Sequence, residues 1–141
     1  MGFLEDLKQP SHFYEFLHLS WGIVEFEADE GILMAYCLSS QDVRAKPLFD
    51  FSVGKKLWLF RNMDVLTIDE YNKVCAFKNK RNDLFHTGSL YLSNLSDTEK
   101  IEIMDMGLEA AGIMQKMVVV LNELQQGRHI YLRKQKEEKH L

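Results

Sequence analysis

Cysteine and long apolar runs are scarce in this chain of 141 residues. Its two cysteines, Cys37 and Cys75, lie far apart and within apolar patterns, so we expect reduced core thiols and no disulfide framework. No apolar run reaches the roughly 18 residues that a membrane span needs, and acids stand near the start of the chain where a signal peptide has bases. We therefore expect a cytoplasmic protein that makes no membrane contact.

The common signatures of metal and cofactor chemistry are also missing. The sequence contains no H-E-x-x-H, no C-x-x-C, no Gly-rich phosphate loop and no G-x-S-x-G. Four histidines have no metal-ligand spacing among themselves: His12, His18, His129 and His140. We accordingly expect neither a metal ion nor a cofactor. A net charge of −4 argues against a general nucleic-acid-coating protein but leaves room for a local basic site.

Helical periodicity dominates what the sequence does contain. Its composition, 46% hydrophobic and 27% charged, is that of one soluble domain. Apolar residues recur three and four positions apart over about 11–39, 51–63, 68–86 and 97–127. We predict an all-α fold in which four main helices form an antiparallel-type bundle after a short N-terminal segment. We expect residues 1–127 to form this single domain and 128–141 to form a charged C-terminal tail.

Start and stop signals set the expected ends of these helices. The expected N-caps are Ser11, Thr67 and Ser96, the last two completed as capping boxes by Glu70 and Glu99. The expected stops are Gly88 and Gly127. The segment 39–47 has loop composition.

The first and last main helices have contrasting surfaces. The first has a strongly acidic side, which is best interpreted as solvated, although one carboxylate can instead pair with a buried arginine. The last carries two apolar stripes: Ile101, Met104, Leu108, Ala111, Val118 and Val119, and Ile103, Ala110, Ile113, Met117, Leu121 and Leu124. Such a helix needs cover on more than one side, which indicates either a central core helix or a two-fold partner surface.

The most informative stretch is 78–88, at the end of the third main helix. On a helical projection Arg81 falls near the middle of an arc formed by Tyr71, Val74, Cys75, Phe77, Leu84 and Phe85. A guanidinium there needs a partner, unless its head reaches water. Asn82 and His86, four residues apart, share the flank of this arc.

Positive charge gathers in the same stretch. The last turn of a helix stabilises a cation, which favours the protonated imidazole of His86. Lys78 and Lys80 add charge beside Arg81, as a phosphate-handling site requires. Capping of the helix C-terminus alone is the simpler explanation of such cations.

Arg81-Asn82-x-x-x-His86 resembles the R-N-x-x-x-H motif of the HEPN superfamily, small helical domains of prokaryotic toxin–antitoxin and anti-phage systems and of several eukaryotic RNases. The resemblance implies a homodimeric helical bundle whose motifs meet at the dimer interface and cut RNA without a metal. It also implies RNA and an antitoxin protein as partners. Many HEPN toxins have a Tyr two residues after the motif His, which a nucleotidyltransferase antitoxin modifies. Gly88 stands there in this chain, which puts that mode of regulation in doubt.

These residues lead to the hypothesis of a metal-independent endoribonuclease of HEPN type. In this hypothesis His86 transfers protons as general acid or base, and Arg81 binds the phosphate through its guanidinium. Asn82 is an orienting hydrogen-bond partner, and Lys78 and Lys80 steer the RNA backbone. One imidazole cannot easily serve both ends of an in-line displacement, so a dimer would supply the second. The alternatives are a non-catalytic dimerisation or adaptor domain, and a nucleotide-binding module that uses the same basic groove.

Overall fold

All regular structure in the described part of the chain is helical. The computed structural model describes residues 2–36, 45–86 and 94–139, and their side chains over 2–36, 47–85 and 94–127. The helices are α1 (Gly2–Asp6), α2 (Phe13–Ala35), α3 (Ala45–Phe49), α4 (Val53–Asn62), α5 (Ile68–His86) and α6 (Asp97–Lys139), with a 3-10 turn at Pro10–His12. No strand occurs among these residues, so the predicted all-α class is confirmed. Within the same ranges, no helix has both the length and the apolar content needed to cross a membrane.

Both predicted capping boxes are confirmed. At the start of α5 the Glu70 N–H donates to Thr67 Oγ1 at 3.1 Å, and the Thr67 N–H donates to Glu70 Oε1 at 3.0 Å. The same reciprocal pair joins Ser96 and Glu99 at the start of α6. Each box satisfies N–H groups that have no partner inside the helix, which fixes where both helices begin.

The predicted ends of the first main helix are wrong. Ser11 lies within the 3-10 turn and not at an N-cap, because α2 begins at Phe13 without a side-chain cap. The helix ends at Ala35, earlier than predicted. The predicted loop is described only from residue 45 onward, where α3 already begins, so Pro47 lies in a short helix. Its missing N–H costs little there because the first turn has no intrahelical acceptor to lose. Gly88, the predicted stop of α5, lies outside the described residues.

Helix α6 continues past Gly127, where we predicted its end. It spans 43 residues to Lys139, a length of about 64 Å. A glycine in a helix interior costs only about 1 kcal/mol, and good helix formers on both sides outweigh that cost. Residues 128–139, assigned from the sequence to a charged tail, therefore continue the helix.

Helices α2 and α6 approach each other closely through small residues. A Cβ added to Gly107 would lie 2.9 Å from Ser20 Oγ, and one added to Gly31 would lie 2.8 Å from Met117 Cε. Residue numbers rise together at the two contacts, so α2 and α6 run parallel. This pair departs from the predicted antiparallel-type arrangement.

Helix α5 packs on another side of α6 and runs in the opposite direction. The ring of Phe77 lies against Gly107, and Lys116 Nζ lies 3.8 Å from Glu70 Oε2. Residue numbers on α5 therefore fall as those on α6 rise. The end of α5, which holds the motif, lies beside the start of α6.

Cover from α2 and α5 accounts for most of the apolar surface of α6. Its buried residues are Ile103, Met104, Gly107, Ala110, Ala111, Met114, Met117 and Leu121. The large apolar side chains that stay exposed in its described part are Val119 and Leu124. Of the two interpretations of this helix, the central core helix therefore explains its composition without a second chain.

One lysine of α4 is buried in the interior. Lys56 is 5% exposed, and its ammonium donates to Asp29 Oδ1 at 2.6 Å and to the Phe49 carbonyl oxygen at 3.0 Å. The acidic side of α2 is thus not wholly solvated. The carboxylate that meets a buried cation pairs with Lys56 and not with Arg81.

Candidate functional site

Arg81 lies where α5 faces α2. Its guanidinium carbon is 4.9 Å from the centroid of the Trp21 ring and 4.6 Å from that of the Phe85 ring. Such cation–π contacts contribute about 0.5–1 kcal/mol each at exposed sites and about 2 kcal/mol when desolvated. They explain how a cation occupies the apolar side of this helix.

No carboxylate among the described residues forms an ion pair with Arg81. The described lysines and arginines that have such a partner are Lys8, Lys56, Arg61, Lys73 and Lys116. The acidic side of α2 therefore supplies no described partner to Arg81, and the guanidinium contacts two aromatic rings instead. The rings stabilise the charge of Arg81 without neutralising it, so the charge attracts anions.

Asn82 forms a hydrogen bond with the guanidinium of Arg81. Its Oδ1 accepts from Arg81 Nη1 at 3.4 Å, which is long for a bond of this type. Asn82 is itself half-buried. The contact is compatible with an orienting role, because it holds one edge of the guanidinium. We call Trp21, Arg81, Asn82 and Phe85 the Arg81 cluster.

The two candidate RNA-steering lysines lie on different sides of α5. Lys78 is one turn before Arg81 on the same side, and its Nζ lies 2.8 Å from the position that a Cβ on Gly54 would take. Lys80 follows Lys73 by two turns on the same face, and Lys73 forms an ion pair with α6. The ammonium of Lys78 thus lies beside the start of α4, and the register of α5 places Lys80 on the side that faces α6.

His86 is the last residue of α5. Its side chain lies outside the described residues, so only the position of its backbone enters the site. The helical register places it one turn beyond Asn82 on the same face. Arg81, Asn82 and His86 therefore all lie within the last two turns of α5.

Two aromatic residues of the cluster were not predicted as parts of a site. Trp21 is 7% exposed, and its ring centroid lies 6.3 Å from that of the core residue Phe77. Phe85, predicted among the apolar residues of the arc, is 52% exposed. Its four-residue spacing from Arg81 was a usable signal for a side-chain contact. Nothing in the sequence indicates that Trp21 meets Arg81, because that contact joins two helices.

An apolar cavity lies at some distance from the cluster. It has a volume of about 170 Å³ and is lined by Met34, Ala35, Met63, Val65, Leu121, Leu124 and Gln125. Its lining includes the C-terminal end of α2, where Met34 and Ala35 lie more than three turns beyond Trp21. The lining has no titratable side chain, so the cavity is a poor place for acid–base chemistry.

The groups outside the cluster with shifted pKa values include Glu27 and Tyr71. Burial, and then repulsion from Glu30, raise the pKa of Glu27 above its ordinary value. The hydrogen bond with the Cys75 thiol is the main cause that raises the pKa of Tyr71. Across the described ranges, no group of three or more His, Cys, Asp or Glu residues is placed to hold a metal ion.

No protein-family model matches the chain, and neither a curated protein nor a solved structure is significantly similar to it. The resemblance of Arg81, Asn82 and His86 to the HEPN motif therefore stays an expectation from the sequence. The geometry of the Arg81 cluster is what the structure adds to it.

Proposed function

We propose that this chain is a metal-independent endoribonuclease of HEPN type, in which the four long helices form a bundle and two copies share the site. The observation that carries the proposal is the state of Arg81. It is half-buried against two rings and has no carboxylate partner among the described residues. A planar guanidinium of this kind binds a phosphate through two parallel hydrogen bonds.

The proposed reaction is attack by a ribose 2′-oxygen on the adjacent phosphorus. The bond from phosphorus to the 5′-oxygen breaks, which leaves a 2′,3′-cyclic phosphate and a free 5′-hydroxyl. A base takes the proton of the 2′-hydroxyl, and an acid gives a proton to the departing 5′-oxygen. His86 fills one of these roles, and Arg81, held by Asn82, stabilises the charge that develops on the phosphorane.

Lys78 and Lys80 attract the flanking RNA backbone. Because they lie on different sides of α5, they act on different phosphates. Their effect on binding is electrostatic and should weaken as salt is added.

The homodimer is proposed on chemical grounds. An in-line displacement needs its acid and its base on opposite sides of the phosphorus, and one imidazole reaches both with difficulty. A second copy would bring a second His86. The composition of α6 gives this proposal little support, since α2 and α5 cover most of its apolar surface. The proposed biological setting is a toxin–antitoxin or defence system with a protein antitoxin, as the motif implies.

The alternative is a non-catalytic dimerisation, adaptor or nucleotide-binding domain. The contact of Arg81 with Trp21 favours it as a second candidate, because it joins α5 to α2. On this view the arginine is structural and no substrate is cut.

Replacement of His86 separates the two candidates. The wild type should cleave a mixed RNA pool in EDTA, leave single-stranded DNA intact, and produce 2′,3′-cyclic phosphate ends. His86→Ala should lower the cleavage rate about a hundredfold or more, the usual loss for a general acid or base. His129→Ala is the matched control, because residue 129 lies far along α6 from the end of α5, and it should cleave like the wild type.

The measurements are the cleavage rate on end-labelled RNA, the melting temperature, and the mass by light scattering at micromolar concentration. A mass of about two chains is expected for the wild type. Equal cleavage by wild type and His86→Ala would locate the activity elsewhere or in a contaminant. A monomer that cleaves RNA would remove the shared site, and an inert dimer would favour the adaptor.

A further inference from the structure

We propose that the exposed face of Phe85 is a stacking platform for an unpaired nucleic-acid base, with Arg81 taking the phosphate beside it. The substrate would then be single-stranded RNA and not a duplex. This inference rests on the proposed function, because it names the substrate class of the same site.

A series of side-chain contacts connects Phe85 to the core. Trp21 packs on Phe77 in the core, Arg81 lies over Trp21, and Phe85 lies over Arg81. Exposure rises along this series, from 0% at Phe77 and 7% at Trp21 to 52% at Phe85. The outermost ring is therefore anchored through a cation to the interior while about half of it faces solvent.

The exposure of Phe85 is not that of an incidental surface residue. The other exposed large aromatic residues in the described part are Phe3, Tyr14, Phe26, Tyr36 and Trp58. None of them has a described cation over its ring, whereas Phe85 has the guanidinium of Arg81 at 4.6 Å. An exposed aromatic ring and a cation that has no carboxylate partner among the described residues thus occur side by side at this point of the surface.

This pairing fits a nucleotide whose base is accessible. A base stacks on an aromatic ring through its π face, and such stacking contributes about 1–3 kcal/mol per base. In an A-form duplex the base faces are covered by their neighbours, so only unpaired bases can use the platform. The negative phosphate that follows the base would meet Arg81, with Lys78 on the same side of α5.

The experiment measures binding separately from cleavage. The probe is a fluorescent 2′-O-methyl RNA 12-mer of mixed sequence, which lacks the 2′-hydroxyl nucleophile, offered to the full chain either alone or annealed to its complement. Fluorescence anisotropy should show that the single strand binds about tenfold or more tightly than the duplex, the lower part of the stacking range expressed as affinity.

Variants assign that preference to the ring. Phe85→Leu keeps an apolar side chain but removes the π face, and it should weaken single-strand binding about tenfold. Phe85→Trp should bind at least as tightly as the wild type. Phe26→Leu is the matched control, because Phe26 is 60% exposed on α2 and has no described cation contact. It should leave binding unchanged, and melting curves should verify that all three variants are folded.

The outcomes are distinct. Equal binding of single strand and duplex, or unchanged binding by folded Phe85→Leu, overturns the platform. A folded Phe85→Leu that loses self-association and keeps its affinity for RNA also overturns it, because the ring is then covered by a second copy. Binding that depends on Phe85 in a protein that cleaves no RNA would support the platform and refute the nuclease. A wild type that binds neither probe would refute both.

Discussion

Substitution of Gly107 by alanine should destabilise the fold, although alanine is the better helix former. The added Cβ would lie 2.9 Å from both Phe77 Cζ and Ser20 Oγ. Phe77 and Ser20 are each 0% exposed, and the Ser20 hydroxyl is held by its hydrogen bond to the Phe16 carbonyl oxygen at 2.8 Å. Neither neighbour is the free end of a flexible side chain, so α2 or α5 has to move away from α6.

Two opposing effects set the change in the free energy of unfolding that Gly107→Ala causes. Overpacking of a core costs about 1–3 kcal/mol, while glycine to alanine inside a helix gains about 1 kcal/mol. Gly22→Ala is the matched control, since Gly22 is also inside a helix but nothing lies within 4 Å of its added Cβ. That variant should show the gain alone. The difference between the two variants isolates the steric cost of about 1–3 kcal/mol.

Urea denaturation followed by circular dichroism gives both free energies of unfolding. In a chain of this size, 1 kcal/mol corresponds to about 3 °C in melting temperature. Adding Ser20→Ala should reduce the cost of Gly107→Ala, because it removes one of the two clashing atoms. If Gly107→Ala is as stabilising as Gly22→Ala, the close approach of α2, α5 and α6 is wrong.

Two further predictions concern charged groups. Asp29→Ala should lower the free energy of unfolding by about 3 kcal/mol, because it leaves the buried Lys56 ammonium without its carboxylate. Lys56→Met should lower it less, because Asp29 is 45% exposed and can be hydrated once its partner is gone. Equal losses for the two variants in urea titrations would contradict this asymmetry. The raised pKa of Glu27 means that the native state holds its proton more tightly than the unfolded chain, so its contribution to stability is lost as the pH rises above about 4.5. Glu27→Gln should therefore raise the melting temperature at about pH 7 and leave it nearly unchanged at about pH 4. An equal shift in melting temperature at the two pH values would contradict a raised pKa of Glu27.

Local chemistry made the starts of α5 and α6 predictable, but not that of α2. The capping boxes at Thr67 and Ser96 involve residues three positions apart, and the hydrogen bonds that they predict are present. The end of α6 was not predictable in this way. A glycine stops a helix only where the backbone turns left-handed, and the sequence around Gly127 does not reveal whether it does.

The burial of individual residues on a helix was predicted only in part. The helical projection placed Val74, Phe77 and Leu84 correctly in the core, since each is 0% exposed. It could not show that Phe85, on the same arc, is 52% exposed at the end of the helix. A helical projection does not show which positions along the helix are covered by neighbouring helices and which are exposed to solvent.

The same limit left the partner of Arg81 open, and the contacts found in the structure change what the residue can do. A carboxylate would have occupied the fork of the guanidinium with two hydrogen bonds and cancelled its charge. Aromatic rings interact with a cation through their π faces, so they need not occupy its N–H donors. Among the described residues only Asn82 accepts a hydrogen bond from Arg81, and that bond is long. The absence of a described ion pair at Arg81 thus favours an anion-binding site, because an arginine held by rings keeps the donors that a phosphate requires.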